Sequence, residues 1–266
     1  MSDTPTDMTG ERTPLLRRPA VRILVVVVAL ILLAVGSFLW WASTPLGPDP
    51  VALDALRSDA DVRVTETDLG FEFKPARFSA EPSSALIFYP GGRVDYRSYA
   101  RLCRRVAIRG YLVVLVRMPL SLAVFAPDRG SDVIAAHPKV HTWVVGGHSL
   151  GGAMAGQFAH DRISAIRGLA LVSSYPPASV NLRDSGLAVT SVYGTNEGIA
   201  SSPALEESRE RLPAGTVWVA IEGGNHAQAG DYGPQPGDSE ASITPSDQQS
   251  QDAAAIVGTL VRAASH

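Results

Sequence analysis

The stretch TWVVGGHSLGG, residues 142–152, decides the fold of this chain. It joins a short apolar run, which is typical of a buried strand, to a segment rich in glycine and alanine that continues as a helix. Residues 147–151 at its centre form a G-x-S-x-G pentapeptide. In that context the pattern predicts a sharp strand-to-helix turn that exposes the hydroxyl of Ser149 at the end of a sheet.

The residues around this serine suit a nucleophile elbow. Gly147 and Gly151 stand two residues before and two after it, where larger side chains would collide, and His148 lies beside it in the turn. Because the serine would begin a helix, the backbone N–H of Leu150 would point at a developing oxyanion. We therefore expect Ser149 to act as a nucleophile.

Apolar runs of strand length alternate with longer segments of helical periodicity on both sides of this turn. The predicted strands are 85–90, 111–119, 142–147, 166–174, 187–194 and 216–224, preceded by a hairpin over 62–78. The predicted helices lie near 96–109, 128–136, 150–161, 203–212 and 246–264. Near-continuous apolar strands that alternate with helices predict an α/β fold, with a mostly parallel sheet covered on both faces.

A serine hydroxyl is a weak nucleophile until a base removes its proton. His226 follows the last predicted strand, which puts it at the same edge of the sheet as Ser149. A carboxylate must orient this histidine, and Glu197, after the preceding strand, is the best candidate. Asp231 and Glu222 are the alternatives.

The loop after the first central strand, residues 89–93, would supply a second oxyanion donor. Its two glycines would let the backbone approach a substrate closely. The donor would be the N–H of Gly92 or that of Arg93. The Arg93 side chain would either bind a substrate carboxylate or pair with Asp95 at the surface.

Residues 23–41 read ILVVVVALILLAVGSFLWW and carry no charge. At about 1.5 Å per residue, a helix over this stretch would span about 28 Å, close to the hydrocarbon thickness of a bilayer. The length and the two terminal tryptophans favour an uncleaved anchor over a cleaved signal peptide. A helix that is apolar on every face is not typical of a soluble core.

Charge around this stretch predicts its orientation. The basic residues ahead of it are Arg12, Arg17, Arg18 and Arg22, and the next basic residue is Arg57. By the positive-inside rule, we expect a single-pass protein of the cell membrane with a cytoplasmic amino terminus and an extracytoplasmic catalytic domain. The predicted organisation is a tail over 1–22, an anchor over 23–41, a linker over 42–60 and a catalytic domain over 61–266.

Composition excludes several classes of protein. The chain of 266 residues has a net charge of −3 and a pI near 6.1, which argues against a nucleic-acid-binding protein. Its only cysteine, Cys103, rules out an internal disulfide and the common zinc sites, and a core position is expected for it. We expect no metal and no organic cofactor, and the sequence leaves the oligomeric state open.

Four motifs carry a resemblance to a known family: FYPGG, GGHSLGG, YGTNEG and GGNHAQAGDYG. Through them, the chain from about 62 to 264 resembles the α/β-hydrolase superfamily, and most closely its small cap-less branch of dienelactone-hydrolase-like and chlorophyllase-like proteins. The resemblance implies a Ser149 nucleophile, a Glu197 acid and a His226 base. Members more often carry Asp where this chain has Glu197, and many carry His-Gly where it has Pro90-Gly91.

These expectations combine into a membrane-anchored serine hydrolase that cleaves a small carboxylic ester or thioester. Two alternatives remain: a catalytically silent hydrolase fold used for binding or as a scaffold, and an acyltransferase that uses the same three residues. The short connection between the strands at 166–174 and 187–194 leaves no room for a large lid. The long loop over 227–244 is predicted to wall one side of the pocket.

Overall fold

The computed structural model describes residues 19–77, 82–200 and 202–265. Most of the predicted tail over 1–22, and position 78 at the end of the predicted hairpin, lie outside the described residues. The chain divides into two compact units, with the boundary between Ser43 and Thr44.

The first unit contains one described helix, α1 (Pro19–Ala42). Its most apolar window has a mean hydropathy of 3.0, so the helix is long and apolar enough to cross a membrane. The predicted span over 23–41 lies within it.

The second unit contains one eight-stranded sheet. Its strands are β1 (Val62–Thr67), β2 (Gly70–Pro75), β3 (Ser84–Tyr89), β4 (Leu112–Val116), β5 (Thr142–His148), β6 (Gly168–Val172), β7 (Ala188–Gly194) and β8 (Val217–Ile221). The order across the sheet is β1-β2-β4-β3-β5-β6-β7-β8. Strands β1 and β2 form an antiparallel hairpin, β2 is also antiparallel to β4, and the remaining neighbours are parallel.

Helices cover both faces of this sheet. They are α2 (Pro50–Asp54), α3 (Ala100–Ile108), α4 (Arg129–Ala136), α5 (Leu150–Asp161), α6 (Ser202–Ser208) and α7 (Pro245–Ala263). Alternation along β3 shows the two cores: Leu86 and Phe88 pack with α3 and α7, whereas Ile87 and Tyr89 pack with α4 and α5. The predicted α/β architecture with a mostly parallel sheet is confirmed.

Register brings the ends of the parallel strands to one edge, here called the carboxyl edge. The paired residues at this edge are Tyr89 with Gly147, His148 with Val172, and Gly194 with Ile221. The loops that carry the predicted site residues therefore leave the sheet side by side. Residues 173–187, between β6 and β7, contain no helix or strand, so no cap is inserted there.

The stretch predicted as a linker over 42–60 is ordered from Thr44 onward as part of the second unit. It includes α2, in which Ala52 is fully buried. Proline and glycine suggested an open linker, but backbone hydrogen bonds to loops far along the chain hold this segment. Local composition does not reveal such bonds.

Candidate active site

Ser149 sits on the sharp turn between β5 and α5. Its backbone has φ 52° and ψ −126°, in the left-handed range of φ that costs about 1–3 kcal/mol for a residue with a side chain. The surrounding structure holds it there: the Ser149 N–H donates to the carbonyl of Val172 at 3.1 Å, and the Ser174 hydroxyl donates to the Ser149 carbonyl at 2.6 Å. The turn at Ser149 is therefore strained and fixed.

The two elbow glycines make this turn possible. A Cβ at Gly147 would lie 2.6 Å from the carbonyl carbon of Gly151. A Cβ at Gly151 would collide with the backbone of Tyr89 and Pro90. Both glycines are needed because the helix starts directly against the ends of β3 and β5.

Glu197 and His226 meet across the carboxyl edge. Glu197 Oε1 lies 2.8 Å from His226 Nδ1, and the histidine is 1% exposed. The same oxygen accepts the N–H groups of Ile199 and Ala200 at 3.0 and 2.9 Å. His226 Nε2 has no hydrogen-bond partner among the described residues, so this nitrogen is left to act on another group.

Electrostatics favour an ionised Glu197. Burial acts to raise the pKa of this carboxyl, but the hydrogen bond and charge of His226, with the two backbone N–H groups, outweigh it and lower the pKa. A carboxylate at such a position can orient a histidine and stabilise its protonated form.

The two alternative carboxylates do not reach His226. Asp231 Oδ1 accepts from the guanidinium of Arg101 at 2.5 Å and from Gln249 Nε2 at 3.1 Å. Glu222 is exposed to solvent. Of the three candidates, only Glu197 is bonded to the histidine.

A cavity of about 280 Å³ opens beside the serine. Ser149 and His226 both line it, with Leu150, Tyr175, Ile199 and Ala200 among its other walls. No residue of the 227–244 loop contributes, so the prediction that this loop walls the pocket is wrong. This loop instead lines a separate cavity of about 440 Å³.

The loop after β3 has one backbone N–H to spare. Arg93 N–H donates to the carbonyl of Ser121 at 2.8 Å, and Gly91 N–H donates to the Tyr99 hydroxyl at 3.1 Å. No hydrogen bond engages the N–H of Gly92 or of Leu150 within the described part of the chain. A Cβ at Gly92 would lie 2.8 Å from the Leu150 side chain, so these two residues adjoin.

Side chains near Arg93 are also engaged. Its guanidinium donates to the carbonyl of Thr44 at 2.8 Å. Asp95, the predicted surface partner, holds Arg97 at 2.6 Å.

Tyr99 and His148 were not singled out as a pair by the sequence. The Tyr99 hydroxyl lies 2.8 Å from His148 Nδ1, and both side chains are fully buried. Burial raises the pKa of Tyr99, so the phenol keeps its proton; burial, with the charge of His226, lowers the pKa of His148 well below its usual range. A neutral pair thus ties the loop after β3 to the elbow through Gly91.

Asp238 is a second residue that the sequence did not reveal. Its carboxylate accepts the backbone N–H groups of Gly198, His226 and Ala227 at 3.1, 3.3 and 2.8 Å. Its hydrogen bonds therefore join the loop that carries Glu197 to the loop that carries His226. No local motif marks an aspartate for such a role.

Ser173 is another residue that the sequence did not reveal. It is 1% exposed, has φ 43°, lines the cavity with Ser149, and its Oγ has no partner among the described residues. The only feature of the sequence that could have indicated Ser173 is its position near the end of the predicted strand over 166–174. Within the described ranges, no group of three His, Cys, Asp or Glu side chains is arranged to hold a metal ion.

Comparisons with known proteins identify the family and the fold. The model of the alpha/beta hydrolase family matches residues 85–250. A bacterial membrane phospholipase A has a similar structure, with a TM-score of 0.55 and 14% identity over 90% of this chain and 98% of that one. No curated protein sequence matches the chain.

Two further solved structures share the fold. A candidate lipase from Acinetobacter baumannii AYE gives a TM-score of 0.54 at 12% identity, covering 77% of this chain and 93% of that one. A predicted CIB-like hydrolase from Thermoplasma acidophilum gives 0.53 at 13%, covering 74% and 99%. At such identities the likeness concerns the fold alone.

Proposed function

Since this chain belongs to the alpha/beta hydrolase family, we propose that it is a serine hydrolase that cleaves a carboxylic ester or thioester. One observation carries the proposal: Ser149 and His226 line one cavity, and Glu197 is bonded to Nδ1 of His226, which leaves Nε2 available to accept the serine proton. A nucleophile, a base and an orienting carboxylate in this chain order are the parts that acyl transfer needs.

The first half of the reaction forms an acyl-enzyme. Ser149 Oγ attacks the carbonyl carbon of the substrate while its proton passes to His226 Nε2. The negative charge that develops on the carbonyl oxygen is stabilised by the N–H groups of Leu150 and Gly92, the two adjoining donors that have no other partner in the described chain. Protonated His226 then gives its proton to the departing alcohol or thiol.

The second half releases the acid. Water attacks the acyl carbonyl and His226 takes one of its protons. The same two N–H groups stabilise the second tetrahedral intermediate. Its collapse returns the proton to Ser149 Oγ and frees a carboxylic acid.

Cavity chemistry supports an apolar acyl group. Leu150, Ala153, Ile199 and Ala200 line the space beside Ser149, so a hydrocarbon chain would bury apolar surface there. A membrane phospholipase A and a candidate lipase share the fold. The names of both describe enzymes that cleave acyl esters, which is the class of substrate proposed here.

Covalent labelling tests the serine. A fluorophosphonate probe is expected to label the full chain at Ser149 and to leave Ser149→Ala unlabelled. Ser173→Ala is the matched control, because it removes another serine of the cavity whose Oγ has no partner to lose. Equal labelling of wild type and Ser149→Ala would refute the assignment, and absence of labelling in both would favour a silent fold.

We further propose that α1 anchors the chain in the cell membrane, with the amino terminus in the cytoplasm. Its length and hydropathy support a span, and the arginines ahead of it support that orientation. The full chain should stay with membranes after alkaline carbonate extraction, and a carboxyl-terminal reporter should be active only outside the membrane. Extraction into the soluble fraction as a shortened chain would show cleavage.

A further inference from the structure

His148, the residue before the nucleophile, belongs to the packed interior and is not among the walls of the cavity beside Ser149. Side chains alternate between the two faces of a strand. Val144, four residues earlier on β5, packs with α3 and α7. The side chain of His148 therefore points to that same face of the sheet, where it is fully buried.

The hydrogen bonds around His148 have a defined direction. Gly91 N–H donates to the Tyr99 hydroxyl oxygen at 3.1 Å, and that oxygen lies 2.8 Å from His148 Nδ1. Because burial raises the pKa of Tyr99, its hydroxyl keeps a proton with which to donate. Because burial lowers the pKa of His148, its ring is neutral and one of its nitrogens can accept. Donation therefore runs from Gly91 to Tyr99 and from Tyr99 to His148.

These bonds fix a stretch of backbone that has little stiffness of its own. Gly91 and Gly92 lack a Cβ, so their backbone can adopt many conformations. The Gly91 N–H is held by Tyr99. The Arg93 N–H is held by the carbonyl of Ser121 at 2.8 Å. The Gly92 N–H, proposed above as a donor to the oxyanion, thus lies between two N–H groups that are already fixed.

The loop packs directly against the two buried side chains. A Cβ at Gly91 would lie 2.6 Å from the Tyr99 hydroxyl and 2.8 Å from His148 Nδ1. Such close contact means that a shift of either side chain would move the backbone of the loop. The position of the loop after β3 therefore depends on His148 as well as on Tyr99.

His148 also packs against the proposed base. The ring centroids of His148 and His226 lie 4.4 Å apart, with the ring planes inclined at 53°. Burial, with the charge of His226, lowers the pKa of His148 well below its usual range, so the two rings do not carry positive charge together. A neutral ring at this distance supports His226 without opposing the positive charge that His226 gains in the proposed reaction.

We propose that His148 is a positioning residue for acyl transfer, because it holds both the loop that presents the Gly92 N–H and the ring of His226. This inference rests on the serine-hydrolase function proposed above. An aliphatic side chain at position 148 would fill the same space but could not accept from Tyr99. A cationic side chain would oppose the protonation of His226. A histidine that burial keeps neutral meets both requirements.

Four variants of the full chain in detergent micelles separate these contributions. Tyr99→Phe removes the hydroxyl and keeps the ring. His148→Leu keeps an apolar side chain and removes the acceptor, whereas His148→Asn keeps an acceptor oxygen on the carbon that carries Nδ1 in histidine. Val144→Ala is the matched control for lost packing, because Val144 is fully buried on the same face of the same strand. The substrate is p-nitrophenyl butyrate, and kcat is expressed per site labelled by a fluorophosphonate, so that unfolded chains are not counted.

We expect Tyr99→Phe and His148→Leu each to lower kcat by about 10-fold or more and to change KM by less than about 3-fold, because an oriented oxyanion donor acts in the transition state. The variant that combines both changes should be slower than Tyr99→Phe by no more than about 2-fold, because both changes break the same bond. His148→Asn should lose less than about 3-fold in kcat, because it keeps an acceptor for Tyr99. The kcat of Val144→Ala should equal that of the wild type.

A trifluoromethyl ketone gives a readout that a purely structural role would not move. It adds to a serine hydroxyl as a tetrahedral oxyanion, so its affinity reports how well the N–H donors are placed. Its Ki should rise in Tyr99→Phe and His148→Leu by the factor by which kcat falls, and it should stay at the wild-type value in Val144→Ala.

Wild-type kcat in both Tyr99→Phe and His148→Leu would overturn the proposal. Equal losses in His148→Asn and His148→Leu would overturn it too, because the acceptor would then have no effect. A comparable loss in Val144→Ala would attribute the effect to packing and would also overturn it. Equal turnover of the butyrate ester by wild type and Ser149→Ala would instead overturn the serine-hydrolase function.

Discussion

We expect a buried acid on α7 to make the stability of this protein depend on pH. Asp252 is 1% exposed, and its Oδ2 has no hydrogen-bond partner among the described residues. Burial raises the pKa of this carboxyl from its ordinary 3.8 to about 8. We predict that Asp252→Asn stabilises the folded chain by an amount that grows as the pH rises.

The sign and size follow from proton binding. Between pH 4 and pH 8 the folded chain keeps a proton on Asp252 that the unfolded chain releases, so wild-type stability falls as the pH rises. Each unit of pKa difference corresponds to 1.36 kcal/mol. Relative to wild type, the variant should gain about 4 kcal/mol between pH 4 and pH 7, and the gain should level off above pH 8.

Urea unfolding of the full chain in detergent micelles, followed by tryptophan fluorescence at pH 4, 7 and 9, measures this difference. Asp184→Asn is the matched control, because Asp184 is exposed and its replacement should change stability by less than about 1 kcal/mol at each pH. A difference between Asp252→Asn and wild type that stays constant from pH 4 to pH 9 would refute the reasoning.

Three further outcomes are expected. Glu197→Gln should lower kcat on a soluble ester by about 10³-fold with little change in KM, because His226 loses the acceptor that sets its tautomer. The kcat of Glu197→Asp should lie between those of the wild type and Glu197→Gln, and an effect on KM alone would contradict this prediction. Gly91→Ala should lower kcat/KM by about 100-fold, because its Cβ would lie 2.6 Å from the Tyr99 hydroxyl. An unchanged kcat/KM in this variant would exclude a role for the loop after β3 in the reaction. Thiol reagents should modify Cys103 only after unfolding, because burial encloses the thiol and raises its pKa; rapid modification of the folded chain would exclude a core position.

The sheet could be predicted because its strands carry their own signal. A strand buried on both faces must be apolar at nearly every position, and β3, β4 and β6 are buried throughout. The elbow could be predicted for a similar reason, because its glycines are required by contacts within a few residues. The hydrogen bonds that order the start of 44–60 could not be predicted, because their partners lie far along the chain at Arg93 and Asp231.

The site could be predicted where chain order and strand ends decide it. Ser149, Glu197 and His226 each follow a strand, so the carboxyl edge brings their loops together. The contributions of Tyr99 and Asp238 could not be predicted, because each depends on side-chain hydrogen bonds between distant loops. The same limit explains why sequence could not choose between Gly92 and Arg93 as a donor: the choice depends on the Ser121 carbonyl, which accepts from one of them.

The hydrogen bonds by which Asp238 joins the two loops have a consequence for biosynthesis. Chains emerge amino end first, so α1 and Ser149 leave the ribosome before Glu197, His226 and Asp238. Asp238, whose carboxylate binds the backbone of both loops, is synthesised after Glu197 and His226. In the serine hydrolase proposed above, the loops of Glu197 and His226 would therefore reach their final geometry only after residue 238 has been synthesised.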